Sequence, residues 1–251
     1  MQSTYVERCW ALRPALAHIA SLAGEPLDLV EIGCSAGVLL TFDQYGYHIP
    51  GQARIGPADA PLILSGHMTG DPPAGIPAIG ARIGIDLAPL DAASPEDRRW
   101  LLALCLPELR EEQARLGVAL DTVARSPVRL MKGDALNQLP KALAATTNPV
   151  CVFHSVCLLY WPEPAKAALH RQLLDLSRSR DIWRLGFELS RHFEAIHAGR
   201  DGKGEGAARP AGATFDVTLV HYTRGEAQEQ VLAHMTPDFT TLHWHGQATP
   251  A

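Results

Sequence analysis

An apolar stretch that runs directly into a glycine-rich turn constrains this chain more than any other feature. Residues 27–32 read Leu-Asp-Leu-Val-Glu-Ile, and residues 33–37 read Gly-Cys-Ser-Ala-Gly. A short apolar run followed by glycines is typical of a buried parallel strand that turns tightly into a helix. Glycine lets the backbone approach a ligand closely, and the start of a helix offers free N–H groups. The stretch therefore predicts an α/β fold with a ligand site at the carboxyl end of its first strand.

Length and composition narrow the class of protein. The chain has 251 residues, of which 47% are hydrophobic, and its net charge of −5 provides no basic footprint for nucleic acid or an anionic membrane. Its five cysteines are scattered without C-x-x-C spacing, which predicts reduced thiols rather than disulfides or a zinc site. We find neither a signal-peptide pattern nor a run of the ~20 apolar residues that span a bilayer. These features predict a cytoplasmic protein that binds neither nucleic acid nor membrane.

The remaining pattern predicts a Rossmann-like sheet of seven strands in one domain that covers residues 1–251. A first helix should end near Gly24, and further helices are predicted at 36–45, 95–125 (broken before Pro107) and 164–180. Later strands are predicted at 82–86, 128–131, 150–154 and 182–189, and 214–222 should form a closing antiparallel pair with 239–245. Residues 46–81, rich in Gly and Pro, are predicted as an insertion after the first helix with one short strand near 62–64. Residues 195–213 are predicted as a flexible loop.

The spacing of the glycines separates two ligand classes. A dinucleotide-binding loop has glycine at three positions, G-x-G-x-x-G, so that a diphosphate can lie against the backbone. Counting from Gly33, this chain has Ser35 at the second of these positions and Val38 at the third. Nicotinamide and flavin dinucleotides are therefore disfavoured. An ordinary strand–helix turn whose glycines serve only packing stays open as an alternative.

Acidic residues end two further predicted strands. Asp86 ends the second strand, where the two oxygens of a carboxylate can accept hydrogen bonds from both hydroxyls of a ribose. Asp134 follows the third strand. The separation between Glu31 and Asp86 is longer than the ~20 residues of a compact strand–helix–strand unit, and the insertion at 46–81 accounts for the excess. The alternative for Asp86 is an exposed carboxylate at the end of a strand.

This combination resembles the cofactor motifs of class I methyltransferases that depend on S-adenosylmethionine (SAM). The resemblance implies that Glu31 contacts the ammonium group of SAM and that Gly33, Ser35 and Gly37 line its methionine part. It further implies that Asp86 binds the ribose, that Leu87 lies against the adenine, and that Asp134, next to Ala135, accepts a hydrogen bond from the adenine amino group.

The wider sequence also resembles a bacterial family known as a domain of unknown function. The segments that carry this resemblance are 31–47, 84–91, 95–101, 133–135 and 152–155. It extends over about residues 25–190, implies a fold like that of the SAM-dependent methyltransferases, and indicates no substrate.

Three residues are candidates for catalysis. His154 ends the fourth strand, and histidine can act as a general base near neutral pH. The family resemblance favours Asp43 and Tyr45, which follow the glycine turn. The alternatives are a structural histidine and an ordinary helix end. His243 and His245 lie on one face of a strand without a third ligand, so no metal site is predicted.

These observations predict a SAM-dependent methyltransferase that acts on a small molecule. Methyl transfer needs mainly an aligned nucleophile and a dry site, so a strong acid–base signature is not required. Two alternatives from other classes stay open. One is a module that binds SAM, S-adenosylhomocysteine or another nucleoside without catalysis, and the other is a scaffold that kept the fold without a cofactor. A homo-oligomer is compatible with each of these hypotheses.

Overall fold

The computed structural model describes residues 4–190 and 215–246. The helices of this part of the chain are α1 (Cys9–Ala23), α2 (Pro95–Ala103), α3 (Arg110–Ala124), α4 (Ala135–Ala144) and α5 (Glu163–Leu176). The strands are β1 (Leu27–Ile32), β2 (Gly46–His48), β3 (Ile63–Ser65), β4 (His67–Thr69), β5 (Ile79–Asp86), β6 (Val128–Lys132), β7 (Val150–Ser155), β8 (Ile182–Leu189), β9 (Phe215–Thr223), β10 (Glu226–Met235) and β11 (Thr241–Trp244).

Nine strands form one mixed sheet in the order β4-β11-β10-β9-β8-β7-β1-β5-β6. The five strands from β8 to β6 are parallel to one another, whereas β9 and β10 continue the sheet as an antiparallel hairpin. Strand β1 lies in the middle of the parallel part, between β5 and β7. The chain builds outward from β1 to β5 and β6, and then returns to the other side of β1 with β7 and β8. In a Rossmann-like sheet of this kind, a crevice for ligands forms at the carboxyl ends of the strands where this reversal occurs.

The central parallel strands β1, β7 and β8 are buried on both faces, which explains their nearly continuous apolar sequences. Successive side chains of a strand point to opposite faces, so Leu29 of β1 packs into one core and Val30 packs into the other. The first core lies against α1, α2 and α3, and the second lies against α4 and α5. Helices on both faces leave the ends of the strands as the accessible part of the sheet. No helix among residues 4–190 and 215–246 is long and apolar enough to cross a membrane.

The prediction of seven strands is wrong, because the sheet has nine. Strand β10 was not predicted: a bulge between Val231 and Ala233 interrupts its alternation, and much of its first half is exposed. The two segments that were predicted to pair with each other, β9 and β11, instead both pair with β10. The insertion holds three short strands rather than one, and β4 joins the edge of the main sheet beside β11. The predicted loop at 195–213 lies outside the described residues.

The prediction of a helix at 36–45 is also wrong in its type. Residues Val38–Gln44 form 3-10 turns with a kink at Thr41, where φ is −109° and ψ is 20°. The hydroxyls of Thr41 and Tyr45 each donate to the carbonyl of Val38, both at 3.0 Å. The two hydroxyls thus compete for a carbonyl that an α-helix would use for its backbone hydrogen bonds. The segment therefore forms 3-10 turns instead of an α-helix. Most other predicted elements are confirmed, and the second strand begins earlier, at Ile79.

Candidate functional site

A cavity of about 370 Å³ lies at the carboxyl ends of β1, β5, β6 and β7, at the reversal of strand order described above. Its walls include all but one of the residues that the sequence proposed as cofactor ligands: Glu31, Gly33, Ser35, Asp86, Leu87, Asp134 and Ala135. The volume is within the range of small-molecule sites in proteins. The structure thus brings together residues from three strand ends that are distant in the sequence.

Gly37 is the exception, since it is absent from the cavity wall. It has φ +81° and ends the turn just before the 3-10 segment. A Cβ at this position would lie 3.2 Å from Cγ1 of Val128. Close packing against β6 thus gives Gly37 a structural task, and its role in binding a cofactor stays a prediction.

Gly33 starts the turn after β1 and needs to be glycine for two reasons. Its φ of +76° is a conformation that other residues rarely adopt, and a Cβ would collide with the sulfur of Cys157 across the cavity floor. Its N–H donates to the carbonyl of Ile85 at 2.8 Å, which joins the turn to β5. The turn is therefore held against both neighbouring strands of β1.

Asp86 fixes the same turn from the end of β5. One carboxylate oxygen accepts a hydrogen bond of 2.9 Å from the backbone N–H of Ser35, and the other accepts one of 2.9 Å from the N–H of Ala88. A carboxylate has about four lone-pair positions, so these two bonds leave acceptor capacity toward the cavity. The arrangement also occupies a loop N–H that would otherwise be free to bind an anion.

Glu31 is the last residue but one of β1 and lines the cavity with one unsatisfied carboxylate oxygen. Its side chain is only 2% exposed, and Oε2 has no hydrogen-bond partner among the described residues. Burial raises the pKa of Glu31 well above its usual range, Arg8 acts in the opposite direction, and Asp86 adds to the rise. An unpartnered buried carboxylate is costly, and a cationic or hydrogen-bond-donating ligand would satisfy it.

Asp134 is exposed and performs a local structural task. It is the N-cap of α4, and its side chain accepts a hydrogen bond of 3.2 Å from the N–H of Asn137. Ala135, the next residue, begins the helix and lines the cavity. Leu87 lies at the same rim and is 71% exposed, which is unusual for leucine and suits an apolar ring lying against it.

The turn after β7 forms another wall and is strained. Ser155, Val156 and Cys157 line the cavity, and Val156 has φ +50°, a costly conformation for a β-branched residue. Beneath the turn, one oxygen of Glu188 accepts hydrogen bonds of 3.0 Å from the N–H groups of Cys157 and Leu158. The same oxygen accepts a bond of 2.8 Å from Nδ1 of His154.

His154 supports this turn and does not line the cavity. Burial lowers its pKa, although Glu188 opposes the change. Burial alone would raise the pKa of Glu188, but its hydrogen bonds from His154, Cys157 and Leu158 outweigh that effect and lower it. Near neutral pH the pair is therefore a neutral imidazole that donates to a carboxylate. Burial also raises the pKa of the Cys157 thiol to about 12, so this wall provides no thiolate.

The other catalytic candidates, Asp43 and Tyr45, also lie outside the cavity wall. Asp43 makes a two-point ion pair with Arg82, with both distances at 2.7 Å. Tyr45 is fully buried, and its hydroxyl donates to the carbonyl of Val38 and lies 2.8 Å from the hydroxyl of Thr41. These contacts give both side chains structural tasks, and their catalytic roles stay predictions.

Several wall residues were not among the residues that the sequence proposed for the cofactor. Arg8 and Thr4 reach the cavity from the N-terminal segment, and Tyr160 and Trp161 reach it from the turn after β7. A single arginine before a helix has no local signal that would assign it to a site more than twenty residues ahead in the chain. Among the described residues, no group of three or more His, Cys, Asp or Glu side chains could hold a metal ion.

Comparison with known families gives one match. A family model described as an uncharacterized protein conserved in bacteria, DUF2332, matches residues 1–244. No curated protein and no solved structure matches the chain. The match confirms the resemblance to a bacterial family of unknown function and extends it over nearly the whole chain. The chain belongs to the DUF2332 family.

Proposed function

We propose that this protein binds SAM at the carboxyl ends of β1, β5 and β6 and transfers its methyl group to a small molecule. The observation that carries the proposal is the buried, unpartnered Oε2 of Glu31 in a cavity that also contains Asp86 and Asp134. An acid at the end of each of three adjacent parallel strands matches the ligand set that the sequence resemblance implies. In this proposal Glu31 takes the ammonium group and Asp86 takes the ribose hydroxyls.

The charge of the cavity favours a cationic ligand over a phosphorylated one. Its charged wall residues are three acids and one base: Glu31, Asp86, Asp134 and Arg8. SAM carries a sulfonium and an ammonium against one carboxylate, whereas dinucleotides and nucleotides carry several negative charges. The N–H of Ser35, which a phosphate would need, already donates to Asp86. Both features support SAM over NAD or ATP.

The chemistry requires little from the protein beyond binding, orientation and exclusion of water. Bound SAM supplies an electrophilic methyl group on its sulfonium sulfur. The walls of the cavity hold reactants in line and keep water out, which is where most of the rate enhancement of such a displacement arises. Tyr160, 58% exposed at the mouth of the cavity, offers an aromatic surface for the acceptor molecule.

Calorimetric titration with SAM and S-adenosylhomocysteine, with NAD as a negative control, tests the proposal. We expect saturable binding of both adenosyl ligands and none of NAD. Asp86→Ala should weaken binding at least tenfold, because it removes ribose acceptors and frees the turn. Asp59→Ala is the matched control, since Asp59 is an exposed acid in the insertion. A folded protein that binds neither adenosyl ligand would overturn the proposal.

A second candidate is a module that binds SAM or S-adenosylhomocysteine without turnover. The observation that favours it is the position of His154, the strongest general-base candidate, outside the cavity wall. Formation of S-adenosylhomocysteine from SAM across a library of small nucleophiles separates the two functions. Turnover with any acceptor supports the enzyme, whereas tight binding with no product from the whole library supports the module.

A further inference from the structure

The side chain of Arg8 is a buried cation in the cavity wall with most of its donors unused. Arg8 ends a short 3-10 turn before α1 and is 8% exposed. Its Nη1 donates to the carbonyl of Ser155 at 3.2 Å, and its Nε is buried without a partner among the described residues. An arginine carries five N–H donors, and leaving them unsatisfied in a buried position is costly.

Two other arginines of this chain use their donors on protein acceptors, whereas the buried Arg13 and Arg184, like Arg8, each keep one nitrogen without a partner among the described residues. Arg82 forms its two-point pair with Asp43, and Arg180 donates to the carbonyls of Leu143 and Asn148. Arg8 has one such contact, and it lines a cavity rather than a packed core. Its place in the cavity wall, which Arg13 and Arg184 do not share, puts its free donors where a ligand with acceptor oxygens can reach them.

Glu31 provides the complementary charge in the same cavity. Oε2 of Glu31 is buried and unpartnered, and no ion pair joins it to Arg8 in the described part of the chain. Each group favours the charged form of the other, although Glu188 acts on Arg8 more strongly than Glu31 does. The cavity thus holds one carboxylate and one guanidinium that are close enough to interact but do not satisfy each other.

We propose that Arg8 and Glu31 together bind an α-amino acid group, with the carboxylate of the ligand on Arg8 and its ammonium on Glu31. The hydroxyls of Ser35 and Ser155 are also buried in this wall and have no partner within the described part of the chain, and they supply further polar contacts. This inference rests on the proposed function, because SAM carries such a group. It adds that the N-terminal segment before α1 determines specificity for an intact amino acid moiety.

The consequence is discrimination between ligands that differ only in that moiety. Decarboxylated SAM keeps the sulfonium, the ammonium and the adenosine of SAM but lacks the carboxylate. Without it, the buried Arg8 stays unpaired in the complex. Losing a hydrogen bond to a charged group of this kind corresponds to about a 10- to 100-fold loss of affinity.

Calorimetric titration of the full chain with SAM and with decarboxylated SAM tests the inference. Wild type should prefer SAM by about 10- to 100-fold. Arg8→Gln should abolish the preference by weakening the binding of SAM alone. Arg8→Lys should retain part of the preference because lysine keeps the positive charge. Arg178→Gln is the control, since Arg178 is 72% exposed and pairs only loosely with Asp175 at 3.6 Å.

The possible outcomes separate this inference from the function on which it rests. Equal affinity of wild type for SAM and decarboxylated SAM overturns the inference and leaves SAM binding intact. An equal loss of affinity for both ligands in Arg8→Gln also overturns the inference, since that pattern indicates a structural role of Arg8. Failure of the folded wild type to bind either ligand overturns both proposals. The wild-type comparison holds even if the Arg8 variants do not fold.

Discussion

The carboxylate of Asp86 accepts a hydrogen bond of 2.9 Å from the backbone N–H of Ser35. This contact joins the end of β5 to the turn after β1 and fixes the floor of the cavity. The other carboxylate oxygen accepts a second hydrogen bond of 2.9 Å from the N–H of Ala88. Asp86 therefore shapes the site before any ligand arrives, and in the proposed function it also binds the ligand.

Asp86→Asn should destabilise the protein, whereas Asp134→Asn should not. An asparagine at 86 offers one acceptor oxygen to two backbone donors, so one of the two hydrogen bonds is lost at a cost of about 0.5–1.5 kcal/mol. Asparagine at 134 preserves the helix N-cap, because Asn and Asp cap almost equally well. Urea unfolding of the two variants measures the difference. Equal stability of both variants would show that Asp86 does not hold the turn.

Gly33→Ala should cost more stability than Gly51→Ala. Both glycines have φ near +80°, so both substitutions carry the same backbone strain. At Gly33 the new Cβ also collides with Cys157, whereas at Gly51 nothing lies within 4 Å. We expect Gly51→Ala to lower the free energy of unfolding by about 1 kcal/mol and Gly33→Ala to lower it by about 1–3 kcal/mol more. Denaturant unfolding measures both losses. Equal losses in the two variants would contradict the contact with Cys157.

Glu31→Gln should stabilise the ligand-free protein at alkaline pH. The folded-state pKa of Glu31 lies above its ordinary value of 4.5, so between these two values the folded state binds more protons than the unfolded state. Stability is therefore lost as pH rises through that window, and a neutral glutamine avoids the loss. Thermal unfolding should show wild type and variant alike near pH 4.5, with an advantage of about 0.5–2 kcal/mol for the variant at high pH.

The same variant should lose affinity for SAM while it gains stability. This trade is expected of a residue that is kept for binding at the expense of the fold. A variant that is no more stable than wild type at any pH would indicate that Glu31 has a satisfied environment.

Asp43→Asn should destabilise the protein without weakening ligand binding. The substitution leaves the guanidinium of Arg82, which is 9% exposed, without its charged partner. Breaking a buried ion pair of this kind costs about 3–5 kcal/mol. Asp121→Asn is the control, because the pair of Asp121 with Arg98 is largely exposed and should contribute less than about 1 kcal/mol. A folded Asp43→Asn variant that has lost SAM affinity would instead support a role at the site.

His154→Gln should reduce the loss of folding stability that wild type shows as the pH falls. The lowered pKa of His154 means that the unfolded state binds more protons as pH falls below about 6.5, so folding stability decreases there. Glu188, whose pKa is also lowered, adds a further loss of folding stability below about pH 4.5. Urea unfolding at several pH values between 7 and 5 should give a smaller slope for the variant than for wild type. His48→Gln, at an exposed position, should keep the wild-type slope.

The sequence predicted the parallel part of the sheet because its signals are local. Apolar runs of strand length, glycine spacing and acids at the ends of strands are all readable within a few residues, as in the stretch from Leu27 to Gly37. Parallel strands place their carboxyl ends at one edge of the sheet. Asp86 and Asp134 could therefore be assigned to the same edge as Glu31 without knowledge of the structure, and all three line one cavity.

Local signals failed where long-range contacts determine the structure. Strand β10 has a bulged and half-exposed sequence and is held by its two neighbours, which no window of its own residues reveals. The 3-10 turns at Val38–Gln44 depend on hydroxyls that compete for a helix carbonyl. At β10 the pairing energy comes from strands outside the segment, whereas at Val38–Gln44 the hydroxyls of Thr41 and of the neighbouring Tyr45 override the helix propensity of the segment.

The sequence by itself determined the Rossmann-like sheet and the row of acids at its edge, because both follow from periodicity and chain direction. Only the tertiary structure decided what each polar side chain contacts. It placed Arg8 in the cavity wall, paired Asp43 with Arg82 across 39 positions, and turned His154 toward Glu188 across 34 positions. The physical reason is that a buried charge must find a partner in space, and the nearest partner in space is set by how the strands and helices pack.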